Sequence, residues 1–455
     1  MLKATIFREY DIRGVAGAEF PDADVVILGQ AFGTYLQRHA GRKISLGRDT
    51  RLSSPRLRDS LIRGLKASGC QVTDLGIVPT PVLYYSVFHL EADGAVMITG
   101  SHNPPEFNGF KVVSGGSTIY GEAIQEIRRL IETGDLERGE GSERPADVVT
   151  PYVDEVSSQF HLPRRIHVVV DAGNGTGGPV MHRILERLNA TATEMFFEMD
   201  GRFPNHHPDP TVLQNLEPLI AKVRETKADF GIAFDGDTDR LGVVDDRGAV
   251  IYGDQLMIVY AREILTRLPG ATFIGEVKCS QLMYDDIAAR GGHPIMWKTG
   301  HSLIKAKMKE THAALAGEMS GHMFFADRYY GFDDAIYAAC RLMEIVAHSG
   351  QPLSSQLADL PPTVTTPEIR FDCPDELKFE VVRRATAELR ARHKIVDVDG
   401  VRVLFPQGWG LVRASNTQPV LVMRFEAATP ELLRQYQAEV EQVVERASRL
   451  PARGL

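Results

Sequence analysis

Short apolar runs rich in Val, Ile, Phe and Ala recur along the chain, and each ends in a loop of Gly and polar residues. They are KISLGRDTR from 43, GAVMITGSHNP from 94, IHVVVDAGNG from 166, DFGIAFDGDTDR from 229, ATFIGEVKC from 271 and AALAGEMSGH from 313. Such runs predict buried strands. Between them lie segments of helical period, such as Leu57, Leu61 and Leu65, or Ile124, Ile127, Leu130 and Ile131. Apolar side chains three and four apart share one helix face. The alternation predicts several α/β units, and the pairing of the runs suggests three similarly built domains whose informative loops follow strands.

Charge, Gly and Pro displace apolar residues in ETGDLERGEGSERPAD at 132–147, which reads as a linker closing the first domain. A second boundary is expected near DDRGAVIYGD at 245–254. A third falls near LADLPPTVTTPE at 357–368, where Pro and Thr interrupt a helical pattern. The expected domains are therefore 1–147, 148–249, 250–362 and 363–455. The last combines the strand-like EIRF, VRVLF and LVMRF with two long helical segments and reads as a smaller α+β domain.

Length agrees with this division, since 455 residues are about three times the ~150-residue norm for one domain. With 43% apolar and 24% charged residues and a mean hydropathy of -0.15, the composition is that of a soluble globular protein. No apolar run approaches the roughly 18 residues of a spanning helix, and MLKATIFREYDIRG lacks a signal-peptide stretch. No membrane partner and a cytoplasmic location are expected. Cys70, Cys279, Cys340 and Cys373 are too scattered for a zinc ribbon or a disulfide framework and read as reduced. The net charge of -9 comes without a basic block, which leaves nucleic acid no obvious seat. A small anion can still bind where loops gather Arg, Lys and Gly.

The richest loop is DGDTDR, with Asp235, Asp237 and Asp239 alternating directly after FGIAF. In an extended backbone these carboxylates point the same way. Two like charges about 4 Å apart cost roughly 4 kcal/mol at an effective dielectric of 20, so three converging carboxylates call for a shared cation. Oxygen-only ligands indicate a hard ion, Mg²⁺ or Ca²⁺. A calcium loop would carry Gly and Glu where this chain has Arg240 and Asp246, which favours Mg²⁺. The alternative is a polar turn with its carboxylates fanned apart.

TGSHNP places Ser101 in a loop constrained by Gly100 and Pro104. A serine there can carry a phosphoryl group beside a metal, or simply cap a turn. His102 is adjacent and poorly placed as a triad base, and the flanks are not a GxSxG elbow. GEMSGH would put Glu318, Ser320 and His322 on one side of an extended segment, a set able to read sugar hydroxyls, while His322 by itself reads equally as a metal ligand or a surface residue. RASNTQP offers Arg413, Ser415, Asn416 and Thr417, suited to a phosphate or to an ordinary surface turn. Gly173, Gly175 and Gly178 have GxGxxG spacing, but Pro179 follows, and a tight strand-to-helix turn is preferred over a dinucleotide site.

TGSHNP, DGDTDR, GEMSGH and RASNTQP occur in that order, after YDIRG at 10–14. In this the chain resembles the α-D-phosphohexomutase family, specifically its bacterial phosphomannomutase/phosphoglucomutase branch. The resemblance implies three related α/β domains with mixed sheets and a C-terminal TATA-box-binding-protein-like α+β domain around a central cleft. It implies a phosphate-carrying Ser101 that binds Mg²⁺ together with Asp235, Asp237 and Asp239, with Arg240 beside them. Glu318 and Ser320 would contact the sugar 3- and 4-hydroxyls, with His322 nearby, and Arg413, Ser415, Asn416 and Thr417 would clamp the non-reacting phosphate. Arg13, Lys111 in NGFK and His301 in KTGH match positions near the reacting oxygen, and Tyr10 and Lys278 would line the binding site.

The implied reaction is reversible phosphoryl transfer between the 1- and 6-positions of mannose and glucose phosphates, through a 1,6-bisphosphate that also serves as activator. Hexose phosphates are then the partners, and a monomer is expected. Met319 resembles the mannose/glucose branch, where the phosphoglucosamine branch typically has Gln. Phosphoglucosamine mutase and a non-catalytic sugar-phosphate binding protein are the alternatives.

Overall fold

The computed structural model describes residues 2–416 and 418–449. It contains four sheets, in sequence order along the chain. In the first, Lys43–Arg48, Gln71–Ile77, Gly94–Ile98 and Ser142–Pro145 run parallel, while Phe107–Ser114 pairs antiparallel with Gly94–Ile98 and with Ile12–Val15. In the second, Ile166–Asp171, Ala190–Met195 and Phe230–Phe234 are parallel and Leu241–Asp245 is antiparallel to Phe230–Phe234. The third repeats the scheme: Thr272–Glu276, His293–Trp297 and Leu315–Gly317 are parallel, and Met323–Phe325 is antiparallel to Leu315–Gly317. All three sheets are therefore mixed, and each has one corner where a parallel strand turns back into an antiparallel neighbour. TGSHNP, DGDTDR and GEMSGH occupy that same corner in the three sheets.

The fourth sheet is antiparallel, built on Val401–Phe405, Gly408–Ala414 and Val420–Ala427, with helices Asp375–Arg390 and Pro430–Arg449 packed against it. RASNTQP joins its two longest strands. This is the expected fold class, three α/β units followed by an α+β unit.

The helices bury the faces their periodicity predicts. Leu57, Leu61 and Leu65 are fully buried, as are Ile124 and Ile127 to within 1%, and each such side chain contributes about 2 kcal/mol by leaving water. One apolar core runs continuously from Val82 and Tyr85 through Val168 and Ile232 to Tyr260 and Leu315. The fourth unit has its own core around Val403, Phe425 and Val440, and touches the third through Trp409, Leu411 and Val277.

The stretch 132–147 read as a linker is more structured than that. It contains the edge strand Ser142–Pro145, all four residues exposed, paired with Gln71–Asp74. Backbone pairing needs no apolar side chains, and charge and Pro are what an exposed edge tolerates. Gly173 and Asn174 adopt positive φ in a tight turn before helix Gly177–Leu185, whose first turn holds Pro179, as preferred over a dinucleotide fingerprint. All four cysteines are buried and unpaired.

Candidate active site

Ser101 sits at the corner of the first sheet in a left-handed backbone conformation, φ 49°, and is buried. Left-handed serine is held only by its surroundings. Here the holder is Arg51, whose Nη2 donates to the Ser101 carbonyl at 2.8 Å and to that of Asn103, while Nη1 donates to those of Pro104 and Phe107. Asp49 pairs with Arg51 Nε at 3.1 Å and accepts the Gly100 amide at 3.0 Å. The Ser101 hydroxyl donates to Asp235 Oδ2 at 2.8 Å, and His102 Nδ1 lies 3.1 Å from it.

DGDTDR is not extended. Thr238 has φ 67° and its amide donates to the Asp235 carbonyl, so the segment folds into a turn, with the Asp239 and Arg240 amides donating to Asp235 Oδ1. The carboxylates converge because this turn is wrapped around Asp235, not because alternate strand positions share a face. Gly236 allows it, since a Cβ there would stand 2.6 Å from the Ser101 carbonyl. All three aspartates are fully buried, with oxygens of the three within 4.8 Å of one another. Asp237 Oδ2 accepts from Thr80 at 2.6 Å and from Lys111 at 2.7 Å, and Asp239 Oδ2 also accepts from Lys111. Asp237 Oδ1 and Asp239 Oδ1 are buried with no partner. Burial, and then Asp239 and Asp237, push the Asp235 carboxyl well above the ordinary range. Orphaned carboxylate oxygens in a buried, all-oxygen cluster are what a hard divalent cation satisfies, so the residues fit Mg²⁺.

GEMSGH is likewise a turn, closed by bonds between the Glu318 amide and the His322 carbonyl and between the Gly321 amide and the Glu318 carbonyl. Gly321 has φ 96°, which a strand cannot use. Glu318 and Ser320 remain neighbours at 3.5 Å, and Glu318 Oε1 accepts the Gly300 amide at 2.7 Å. His322 looks elsewhere. Arg240 Nε donates to its Nε2 at 2.9 Å, so its Nδ1 carries the proton and donates to Asp333 Oδ2 at 3.1 Å. Asp239, His322 and Asp333 also come within metal-ligand range, but both imidazole nitrogens are engaged, which makes them a hydrogen-bonded relay. Asp333 further accepts from Lys305 Nζ at 2.9 Å, and His301 stacks on His322 at 5.8 Å with its buried Nδ1 not hydrogen-bonded, 3.9 Å from Asp333 Oδ2. Burial keeps His301, near Lys305, and His102, near Arg240 and Arg13, well below the ordinary histidine pKa.

A second group of loops closes the other end of the site. Tyr10 donates its hydroxyl to the Thr299 carbonyl at 2.9 Å and accepts from Asn416 Nδ2 at 2.6 Å. Arg413 Nε donates to Asp399, which also takes the Thr299 amide. Glu276, fully buried and with its carboxyl raised by burial, accepts the Lys278 amide at 2.7 Å and the Thr299 hydroxyl at 2.9 Å. Lys278 Nζ lies 3.5 Å from Glu368. Arg13 donates to Asn103 Oδ1 at 3.0 Å, at the rim of the Ser101 loop. Ser415 lies buried at the start of the fourth loop, and Thr417 falls outside the described residues. Every other residue proposed from the sequence thus belongs to one of two adjoining networks.

Sequence reading missed Asp49, Arg51, Thr80, Glu276, Asp333 and Asp399. The RDTR that follows the first quoted strand contains two of them, and its position at a strand end was the available signal. His102, set aside as a base, does lie within hydrogen-bond range of Ser101, because the left-handed turn folds the neighbouring side chain back.

Three mixed α/β sheets that each contribute one corner loop to a buried centre, with a fourth loop from an α+β unit, define an α-D-phosphohexomutase architecture. The comparisons agree domain by domain. Residues 4–138, 150–248 and 252–364 match the descriptions of phosphoglucomutase/phosphomannomutase alpha/beta/alpha domains I, II and III, and 368–443 match that of the C-terminal domain. The chain belongs to the phosphoglucomutase/phosphomannomutase family.

It is 47% identical over 433 residues to a phosphomannomutase/phosphoglucomutase of Pseudomonas aeruginosa, covering 95% of this chain and 94% of that one. It is 44% identical over 445 residues to a phosphoglucomutase of Neisseria gonorrhoeae, covering 97% and 96%. A crystal structure of a phosphoglucomutase/phosphomannomutase family protein from Burkholderia thailandensis superposes with a TM-score of 0.93 at 42% identity over 99% of both chains. No described helix is long and apolar enough to cross a membrane.

Proposed function

We propose that the chain is a phosphomannomutase/phosphoglucomutase that moves a phosphoryl group reversibly between the 1- and 6-positions of mannose and glucose phosphates. The observation that carries the residue assignments is the Ser101 hydroxyl aimed at Asp235, beside two buried carboxylate oxygens without partners. Ser101 carries the phosphate. In the first step the sugar hydroxyl oxygen bonds to phosphorus as the bond from phosphorus to Ser101 Oγ breaks, giving a hexose 1,6-bisphosphate. After the sugar turns around, its other phosphate returns to Ser101.

Asp235, Asp237, Asp239 and Ser101 would hold Mg²⁺, which when bound neutralises charge on the transferred group. Lys111 and Arg240 supply fixed positive charge beside that group. The hydroxyl proton needs a neutral acceptor. Lys111 and Arg13 are cations, whereas burial keeps the His301 imidazole neutral and its Nδ1 has no hydrogen bond, so His301 suits the role. At the other end Glu318 and Ser320 read the 3- and 4-hydroxyls with His322 nearby, and Arg413, Ser415, Asn416 and Thr417 clamp the non-reacting phosphate. Tyr10 and Lys278 line the same end. A clamp that leaves the 2-position unread accepts both epimers. Met319 within the turn accords with this reading rather than with a phosphoglucosamine substrate, and the intact serine and aspartates argue against a binding protein. We assign a cytoplasmic monomer activated by glucose or mannose 1,6-bisphosphate.

The test is phosphorus NMR with Mg²⁺, a trace of glucose 1,6-bisphosphate, and glucose or mannose 1-phosphate in turn. Both are expected to convert to the 6-phosphate, and Ser101→Ala to abolish conversion while still binding substrate. Full turnover by Ser101→Ala would overturn the assignment.

A further inference from the structure

Away from the acidic centre, a cavity of about 640 Å³ opens between the first and third units. Its first wall is helix Thr80–His89 with the hairpin joining Phe107–Ser114 to Ser117–Thr118. Its second is helix His301–Thr311 with the loop that follows Met323–Phe325. The apolar lining is aromatic: Phe88 stacks on Tyr330 at 4.6 Å and Tyr330 on Phe332 at 5.9 Å with planes 5° apart. Phe88 is 42% and Tyr330 39% exposed, so the stacked pair leaves uncovered ring surface at the opening. At the hairpin, Cβ atoms built on Gly115 and Gly116 would meet nothing within 4 Å, so that edge is open space.

The charged lining is unbalanced. Lys305 and Lys309 lie four residues apart on one helix face, with His312 one turn on. Lys309 is exposed and has no carboxylate partner among the described residues. The carboxylate that lines the cavity, Asp327, is already neutralised by Arg267 and Arg341 at 2.8 Å each. At the inner end the buried Tyr84 ring lies 4.3 Å from Lys305 Nζ, whose charge is matched by Asp333 at 2.9 Å. Exposed aromatic surface and an uncompensated lysine, Lys309, complement a planar ring system bearing a negative group.

We infer that this cavity is a binding site for a planar aromatic anion, its rings against Phe88 and Tyr330 and its charge at Lys309. Lys305 is also the ion-pair partner of the buried Asp333, so the site adjoins the Asp333–His322–Arg240 relay without sharing any residue proposed to touch the sugar phosphate.

The probe is 8-anilinonaphthalene-1-sulfonate, with the uncharged N-phenyl-1-naphthylamine as its counterpart, titrated by fluorescence into the full-length protein at low salt. One saturable site is expected, binding the anion at least tenfold more tightly than the neutral dye. Lys309→Glu should weaken the anion about tenfold and leave the neutral dye unchanged, and Phe88→Ala should weaken both several-fold. Both positions are exposed, so the variants fold. Equal affinity for the two dyes, an anion affinity indifferent to Lys309→Glu, or binding that does not saturate would each overturn the inference.

Discussion

Replacing Lys111 with methionine keeps the aliphatic stem and removes the charge that now sits among the aspartates. Burial disfavours that ammonium, but Asp237 and Asp239 outweigh it and hold its pKa well above the ordinary lysine value. In the absence of a divalent ion it is the cation that satisfies Asp237 Oδ2 and Asp239 Oδ2. A second, doubly charged ion about 4 Å from it would be repelled by roughly 8 kcal/mol at an effective dielectric of 20. Lysine and metal therefore compete for the same carboxylates. Two consequences of opposite sign follow for Lys111→Met. Without divalent ions the variant loses about 3–5 kcal/mol, the cost of leaving a buried charge unpaired. With Mg²⁺ it binds the ion at least tenfold more tightly, about 1.4 kcal/mol, and the melting temperature rises further on Mg²⁺ addition than in the wild type. The assay is calorimetric titration of Mg²⁺ into protein freed of phosphate, with thermal melts in chelator and in a Mg²⁺ series. Unchanged or weaker Mg²⁺ binding, or a variant as stable as wild type in chelator, would refute the competition.

Gly236→Ala should lower kcat tenfold or more and also lower the melting temperature, because its Cβ would press on the Ser101 carbonyl from 2.6 Å and force the backbone that carries the Ser101 hydroxyl to shift; steady-state kinetics and thermal melts decide it. Arg402→Met removes two 2.7 Å bonds to the Val277 and Cys279 carbonyls on either side of Lys278, so KM for the sugar phosphate should rise severalfold more than kcat falls. His102 and His301, held neutral when folded, add stability that is present above the unfolded histidine pKa near 6.5 and is lost as pH falls below it. Each contributes a slope of up to about 1.4 kcal/mol per pH unit. Urea unfolding between pH 7 and 5 should therefore be shallower in His102→Asn, and an identical slope in that variant would count against a buried neutral imidazole.

How much of this was legible in the sequence depends on the kind of signal. Strands and helices were, because Leu57, Leu61 and Leu65 or the run FGIAF record burial directly in their spacing. The loops were legible as chemistry but not as shape. Asp235, Asp237 and Asp239 were read as a cation site through strand geometry, whereas they converge through a turn around Asp235 that depends on Thr238 at positive φ. A left-handed threonine has no spacing signature: its hydroxyl meets Thr176, far off in sequence, at 3.1 Å, and the neighbouring Asp237 is held by Thr80 and Lys111 of another unit. Residues that act through others were hidden for the same reason. Asp333 meets the site through His322 and His301, and Arg51 through backbone carbonyls, and a lone Asp or Arg announces neither.

The three corner loops explain why isolated motifs were ambiguous and their combination was not. Each corner joins a parallel strand to its antiparallel neighbour, so the loop must leave the sheet at one end, and a shared core across the first three units fixes those ends relative to one another. A serine turn alone, or an aspartate turn alone, is as readily a surface feature. Brought corner to corner, Ser101 finds Asp235, Lys111 finds Asp237 and Asp239, and Arg240 finds His322, each contact crossing between units. The fourth loop arrives differently, on a unit with a separate core joined by Trp409, Leu411 and Arg402 and by the polar contacts of Tyr10 with Asn416 and of Asp399 with Thr299. The groups proposed for phosphoryl transfer thus sit on three units that share one core, and the proposed phosphate clamp sits on a unit with a core of its own.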